Sequence, residues 1–212
     1  RKVYRDEGFL DIVILESGVE IVRRGNRSLD LVINLVEGER SYAGKINVTG
    51  NAVLSTEDIL EEIRMREGDV YSPALLGEDR SRIRKRYGEN GYLDARIVAI
   101  RKPNLETGQI DVTFDVTENN KFTVNSILVR GNDKTRTIAI VRELALAPSE
   151  IFDLRRMETS EARLRNTRFF ERVTLDDEPI ATDDPEIQRS RRNLVVNVKE
   201  GRTGHVSFGV GF

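Results

Sequence analysis

Residues capable of acid–base or covalent chemistry are sparse in this chain of 212 residues. It has one histidine, His205, and no cysteine. Without cysteine there can be no disulfide, no Cys-ligated zinc, no iron–sulfur cluster and no thiol nucleophile. His205 has no carboxylate near it in sequence, so it lacks the partner that would orient it as a general base. Asp183-Asp184 could offer hard oxygen ligands to a cation, but in an acidic loop without a fixed scaffold they form a weak ligand set. Tyr42, Tyr71, Tyr87 and Tyr92 read most simply as core or half-buried packing residues. No HExxH, nucleophile elbow, Walker loop or complete dinucleotide fingerprint occurs. The reading is therefore of a protein that is not an enzyme, with no cofactor and no metal site.

Composition narrows the class further. Lys and Arg number 34 against 36 Asp and Glu, for a net charge of −2, and a third of all residues are charged. Apolar residues make up 38%, with 13 Phe and Tyr and no Trp, which suits several thin cores better than one large one. Charge is spread evenly: −1 over residues 1–41, −3 over 42–120 and +2 over 121–212. A nucleic-acid binder would show a basic stripe, so no nucleic-acid partner is expected. No apolar run approaches the roughly 18 residues of a membrane helix. The opening at Arg1 reads as the tail of a helix, which points to a fragment of a longer chain.

The strongest signal is a repeat. Gly50 to Ser72 and Gly131 to Asp153 have the same length and align position for position at one constant offset. Their apolar positions coincide: Ile59 with Ile140, Leu60 with Val141, Ile63 with Leu144, Tyr71 with Phe152. Tyr4 to Asp11 reappears further along as Tyr87 to Asp94. One unit of about 80 residues therefore occurs about two and a half times.

Within the middle copy, Tyr42, Ile46 and Val48 fall on one face of a strand ending at Gly50-Asn51, a pair able to enter positive φ. Ser55 caps a helix carrying Ile59, Leu60 and Ile63 on one side. Ser72 caps a second helix with Pro73 at its first position, and Gly88 and Gly91 mark its exit. Leu93 to Ala99 and Ile110 to Val116 alternate as strands. The order is β-α-α-β-β. The last copy uses Phe122–Arg130, Thr137–Leu146, Leu154–Asn166, Val173–Asp176 and Leu194–Val198 in the same way. The first copy retains only strands over Leu10–Leu15 and Leu29–Val36. The fold class is thus α+β, in tandem modules that each lay two helices on one face of a three-stranded mixed sheet.

From Gly204 the texture changes. Val206, Phe208, Val210 and Phe212 point one way, and His205, Ser207, Gly209 and Gly211 the other. A barrel strand needs this alternation of lipid-facing apolar residues with small or polar ones toward the lumen.

A tandem β-α-α-β-β repeat with Gly-Asn after the first strand and Gly8-Phe9-Leu10-Asp11 or Gly91-Tyr92-Leu93-Asp94 after the second helix resembles the POTRA modules of the outer-membrane protein assembly family. Val36-Glu37-Gly38-Glu39 and Val198-Lys199-Glu200-Gly201, each ending a module, strengthen that resemblance. It implies residues 1–40 as the C-terminal part of one module, 41–119 and 120–201 as complete modules, and 202–212 as the first strand of a truncated transmembrane barrel. In two places the sequence departs from the pattern. Arg168-Phe169-Phe170 stands where the family commonly has Gly-Phe-Phe, and Asp176 to Arg192 reads as a long, solvated, partly disordered loop.

What the resemblance implies for function is a periplasmic scaffold, joined to an outer-membrane barrel in a Gram-negative bacterium. Its partners would be unfolded outer-membrane protein precursors and accessory assembly lipoproteins. Precursors would add as an extra strand to the open edge of each module, implied to be the second strand: Leu10–Leu15, then Ala95, Arg96, Ile97, Val98 and Ala99, then Val173, Thr174 and Leu175. Lipoprotein docking is expected on the last module at Arg142, Glu143 and Glu150. Two other jobs fit the residues less well. A secretion or translocation pore of the same superfamily carries fewer modules, and a tandem α/β nucleic-acid binder would need the missing basic stripe.

Overall fold

The computed structural model describes residues 1–24 and 28–201. The expected barrel strand, with Val206, Phe208, Val210 and Phe212, lies outside the described residues. Two units are distinct, one of residues 1–84 and 96–117, the other of 85–95 with the chain from 118 onward.

The first unit opens with α1 (Lys2–Asp6), followed by β1 (Val13–Arg24) and β2 (Ser28–Val36), an antiparallel pair in which Ile21 faces Leu31 and Val19 faces Ile33. β1 is longer than the expected Leu10–Leu15. The unit continues with β3 (Ala43–Thr49), α2 (Thr56–Glu62), the start of α3 (Pro73–Glu89), β4 (Arg96–Pro103) and β5 (Ile110–Thr117). Strand order is β3-β5-β4, with β3 parallel and β4 antiparallel to β5. Alternate residues of the strands and the inner faces of the helices close the core, where Ile59, Met65, Tyr71, Ile83 and Phe114 are fully buried.

The second unit repeats this plan with β6 (Thr123–Arg130), α4 (Thr137–Val141), α5 (Leu154–Asn166), β7 (Phe170–Pro179), α6 (Pro185–Ser190) and β8 (Arg191–Glu200), in the order β6-β8-β7. Phe152, Leu164 and Leu194 sit at its centre. The tandem of mixed three-stranded sheets with helices is the α+β architecture that the repeat predicts.

Local chemistry explains the turns. Gly50 and Gly131 both take positive φ, 76° and 83°, where a Cβ would strike the carbonyl of Val116 or Val198 at 2.2 or 2.1 Å. The asparagine that follows holds the turn by its side chain instead of by positive φ. Asn51 Nδ2 donates to the Leu54 carbonyl and Thr56 Oγ1, and Asn132 Nδ2 to the Thr135 carbonyl and Thr137 Oγ1. Ser55 accepts from the Asp58 N–H, and Asp153 from the Arg155 and Arg156 N–H groups.

Two expectations need correcting. The helix expected over Thr137–Leu146 ends at Val141. Its run of Thr, Ile, Ala, Ile and Val is rich in β-branched side chains, and Arg136 before it provides no side-chain cap. Nor is Asp176–Arg192 a loop throughout. β7 runs on to Pro179 with its charges engaged: Asp177 pairs with Arg192, which lies opposite Pro179 on β8, and Glu178 pairs across the sheet with Arg130 of β6 at 2.8 Å. Asp184 then caps α6, accepting from the Glu186 and Ile187 N–H groups, with Pro185 at the first helical position.

Candidate functional site

Each module of this topology has two outer strands, and one of them is antiparallel to the centre. In the first unit that strand is β4. Ile97 is buried against the core, while Val98 and Ile100 on the other face are 39% and 51% exposed. Ala95 is buried and precedes the strand proper, and Ala99 is half-buried. Beyond β4 no further strand pairs among the described residues, so alternate N–H and C=O groups along its outer side have no strand partner. Arg96, Arg101 and Lys102 are exposed and in no ion pair among the described residues. Such an edge offers backbone hydrogen bonds, apolar contact and positive charge together.

The corresponding strand of the second unit is β7. Val173 and Leu175 are buried in its core and Thr174 is half-buried. The charges here are mostly acidic and engaged. Glu171 pairs with Lys199 at 3.0 Å, Asp177 with Arg192, Glu178 with Arg130, and Asp176 accepts from Asn197 Nδ2 at 3.1 Å. Arg192 also pairs with Asp94 at 2.5 Å and lies 4.1 Å over the ring of Phe122. In the incomplete first repeat, Leu10 to Leu15 is a turn and the start of β1.

The structure brings Arg142 and Glu143 side by side, 3.7 Å apart, just past the end of α4. Glu150 is engaged elsewhere: its carboxylate accepts from the Ala147 N–H at 2.8 Å and pairs with Arg156 at 2.8 Å. Among the described residues no cluster of three His, Asp or Glu could hold a metal ion. Tyr87 is buried, and its hydroxyl donates to Glu118 at 3.0 Å. Burial first, then that carboxylate, pushes the phenol above its ordinary range.

A groove that sequence reasoning did not anticipate lies in the first unit between β3 and the chain from α2 to residue 67. It encloses about 490 Å³ and is floored by Ile46, Leu60, Ile63 and Met65. The one signal in the sequence was the charge of its rim, Glu57, Glu61 and Glu67, whose counterparts in the last repeat are Ile138, Arg142 and Pro148.

Comparison with known proteins places the fold. The model of the POTRA family, the surface antigen variable number repeat, matches residues 41–119 and 122–201. A putative outer membrane protein assembly factor of Treponema pallidum is 26% identical over 99% of this chain and 25% of its own length. The outer membrane protein assembly factor BamA of Nitratidesulfovibrio vulgaris is 27% identical over 98% of this chain and 26% of its own. The chain thus spans about a quarter of these relatives. POTRA3-5 of Haemophilus influenzae BamA shares the fold with a TM-score of 0.74 at 18% identity, covering 94% of this chain and 77% of that one. BamA of Haemophilus ducreyi lacking POTRA domains 1-3 gives 0.65 at 19% identity, over 76% of this chain and 30% of that one. With both complete repeats matched by the family model, the chain belongs to the POTRA family.

Proposed function

We propose that this chain is part of the periplasmic scaffold of an outer-membrane protein assembly factor, and that it receives unfolded barrel precursors by strand addition. On this reading residues 41–119 and 120–201 are whole modules, 1–40 closes another, and 202–212 begins the barrel in the outer membrane. The observation that carries the client role is the outer side of β4: a margin with no strand partner among the described residues, with exposed Val98 and Ile100 and with Arg96, Arg101 and Lys102 in no ion pair among those residues. Backbone pairing is indifferent to client sequence, as handling of many precursors requires. The cations add attraction for clients with net negative charge. The β7 edge, its carboxylates already tied, is the weaker acceptor. Arg142, exposed, and Glu143, half-buried, both just beyond α4, are the residues proposed to meet an accessory lipoprotein.

Because the chain has no cysteine, a single introduced thiol reports its own position. Val98→Cys is expected to form a mixed disulfide with an unfolded barrel precursor whose strand-segment cysteine is pre-activated as a pyridyl disulfide, releasing the pyridine thiol, several-fold faster than Thr174→Cys on β7. Equal capture at both positions, or none, would remove the β4 assignment.

A further inference from the structure

The same module has a second free margin on its opposite side. β3 is bonded to β5 along one flank only. Its first residues are covered, since the Ala43 N–H donates to the Asp69 carbonyl and the Gly68 N–H to that of Ala43, both at 2.8 Å. From Ile46 to Thr49 no strand pairs on the outer flank among the described residues. That free stretch runs beside the groove floored by Ile46, Leu60, Ile63 and Met65.

The rim of the groove is acidic. Glu57, Glu61 and Glu67 are exposed, and none is in an ion pair among the described residues. Arg66 also lines the groove and offsets part of that charge, but its guanidinium is turned to the carbonyls of Ile63 and Met65, its backbone N–H donates to Asp69, and it forms no ion pair with the three acids among the described residues. The fold itself does not demand these carboxylates. At the same three places in the last repeat stand Ile138, Arg142 and Pro148, and that repeat builds the same sheet. Three unpaired acids around an apolar trough, beside an unpaired strand margin, need explaining by something other than folding.

We propose that this groove is a docking site for an extended segment of a partner protein in which apolar residues alternate with lysine or arginine. The segment adds to β3 by backbone pairing over Ile46–Thr49. Its apolar side chains enter the trough, and its cations meet Glu57, Glu61 and Glu67. The site is independent of the β4 edge and favours the opposite charge.

The test uses the whole 212-residue chain and a nine-residue fluorescent peptide of alternating lysine and leucine, titrated by anisotropy at low salt. Binding is expected to weaken about tenfold in Glu57→Ile/Glu61→Arg, which installs the residues of the last repeat, because exposed charge contacts are each worth up to about 1 kcal/mol. N-methylation of alternate peptide amides is expected to weaken it at least as much, whereas Glu106→Gln, at an exposed acid in the turn before β5 and outside the groove lining, leaves it within about twofold. The proposal is overturned by no binding of the lysine–leucine peptide, by equal affinity for its glutamate–leucine counterpart, by indifference to the rim variant, or by a charge effect that N-methylation leaves untouched. That last outcome would describe an acidic surface and not a strand acceptor. Failure of β4 capture with these results intact would sink only the client reading.

Discussion

Asp79 in α3 and Ser160 in α5 hold equivalent positions in the two complete repeats, both with no solvent exposure. Each closes the chain that leaves the first helix of its module. Asp79 does it with a carboxylate that accepts from the Arg64 N–H at 2.9 Å and the Met65 N–H at 3.1 Å, and that also pairs with Arg82. Ser160 does it with one hydroxyl, accepting from the Ala145 N–H at 2.8 Å and donating to the Arg156 carbonyl at 2.7 Å. The fold asks for an acceptor at this point; the middle repeat answers with a buried charge and the last with a neutral group. A buried carboxylate is held only while all its partners remain, so the middle repeat has the more brittle version of the same device.

Asp79→Ala puts that contrast under the largest load. The buried Met65 N–H and the part-buried Arg64 N–H lose their acceptor and Arg82 loses its counter-ion, at a cost of about 4 kcal/mol. Ser160→Ala orphans one N–H and costs about 1.5 kcal/mol. Hydrogen exchange of the β5 and β8 amides reads the two modules separately. Equal losses of protection would show that the charge adds nothing beyond its geometry. Asp79→Ser, which gives the middle repeat the last repeat's chemistry, is expected to restore about half the loss.

A second difference runs along the core. Tyr71 in the middle repeat corresponds to Phe152 in the last, and both are fully buried. The Tyr71 hydroxyl has no hydrogen-bond partner among the described residues. Tyr71→Phe removes a desolvated polar group without changing the ring, and stabilises the module by about 1 kcal/mol. A loss of stability in urea would reveal that the hydroxyl is satisfied in solution.

Much of this was legible beforehand, for a physical reason: the repeat fixes which positions are equivalent, and caps and apolar faces are local. Ser55, Asp153 and Gly50 announce their roles by type and neighbours. The short α4 is not legible in apolar spacing, which continues through Leu144 and Leu146, whereas the helix stops at Val141 after a β-branched run. α6 is legible only locally, in the helix start Asp184-Pro185-Glu186, because the surrounding acids and arginines carry the pattern of a solvated loop; only in the fold do Asp177 and Arg192 meet across strands. The groove beside β3 was not legible at all, because it depends on which strand is left outermost.

The corner after the second helix also separates the repeats. Gly8 and Gly91 occupy it with φ of 91°, and their carbonyls accept from Ser41 and Phe122 at 2.9 Å. In the last repeat the corner residue is Arg168, at φ 59°, and the Gly201 N–H donates to the carbonyl of Phe169 beside it, again at 2.9 Å. The departure from the family pattern therefore changes the residue but not the conformation. An arginine held in the left-handed region costs about 1 kcal/mol relative to glycine. Arg168→Gly is expected to raise β8 protection by that amount, while Gly91→Ala lowers it, since its Cβ would lie 2.8 Å from Ile151 Cγ2.

The smallest effect concerns how each repeat enters its first helix. α2 is capped by its own Ser55, whereas Arg136, at the same place before α4, gives no side-chain cap. The approach to α4 is held instead from across the sheet. Glu200 accepts from the Thr135 N–H at 2.6 Å and the Lys134 N–H at 3.0 Å, and the Thr135 hydrogen bond above all holds its carboxyl below the ordinary 4.5. A folded value below the unfolded one contributes stability that is fully present above pH 4.5 and is lost as pH falls through the folded value. Glu200→Gln keeps an oxygen acceptor but removes the titration. The variant should therefore show a shallower loss of protection at Lys134 and Thr135 than the parent below pH 4.5, with no difference at Asp58 beneath the Ser55 cap. Parallel acid profiles in parent and variant would mean that the carboxylate is not what holds this entry, and the contrast between a helix capped from within and one held from outside would fail.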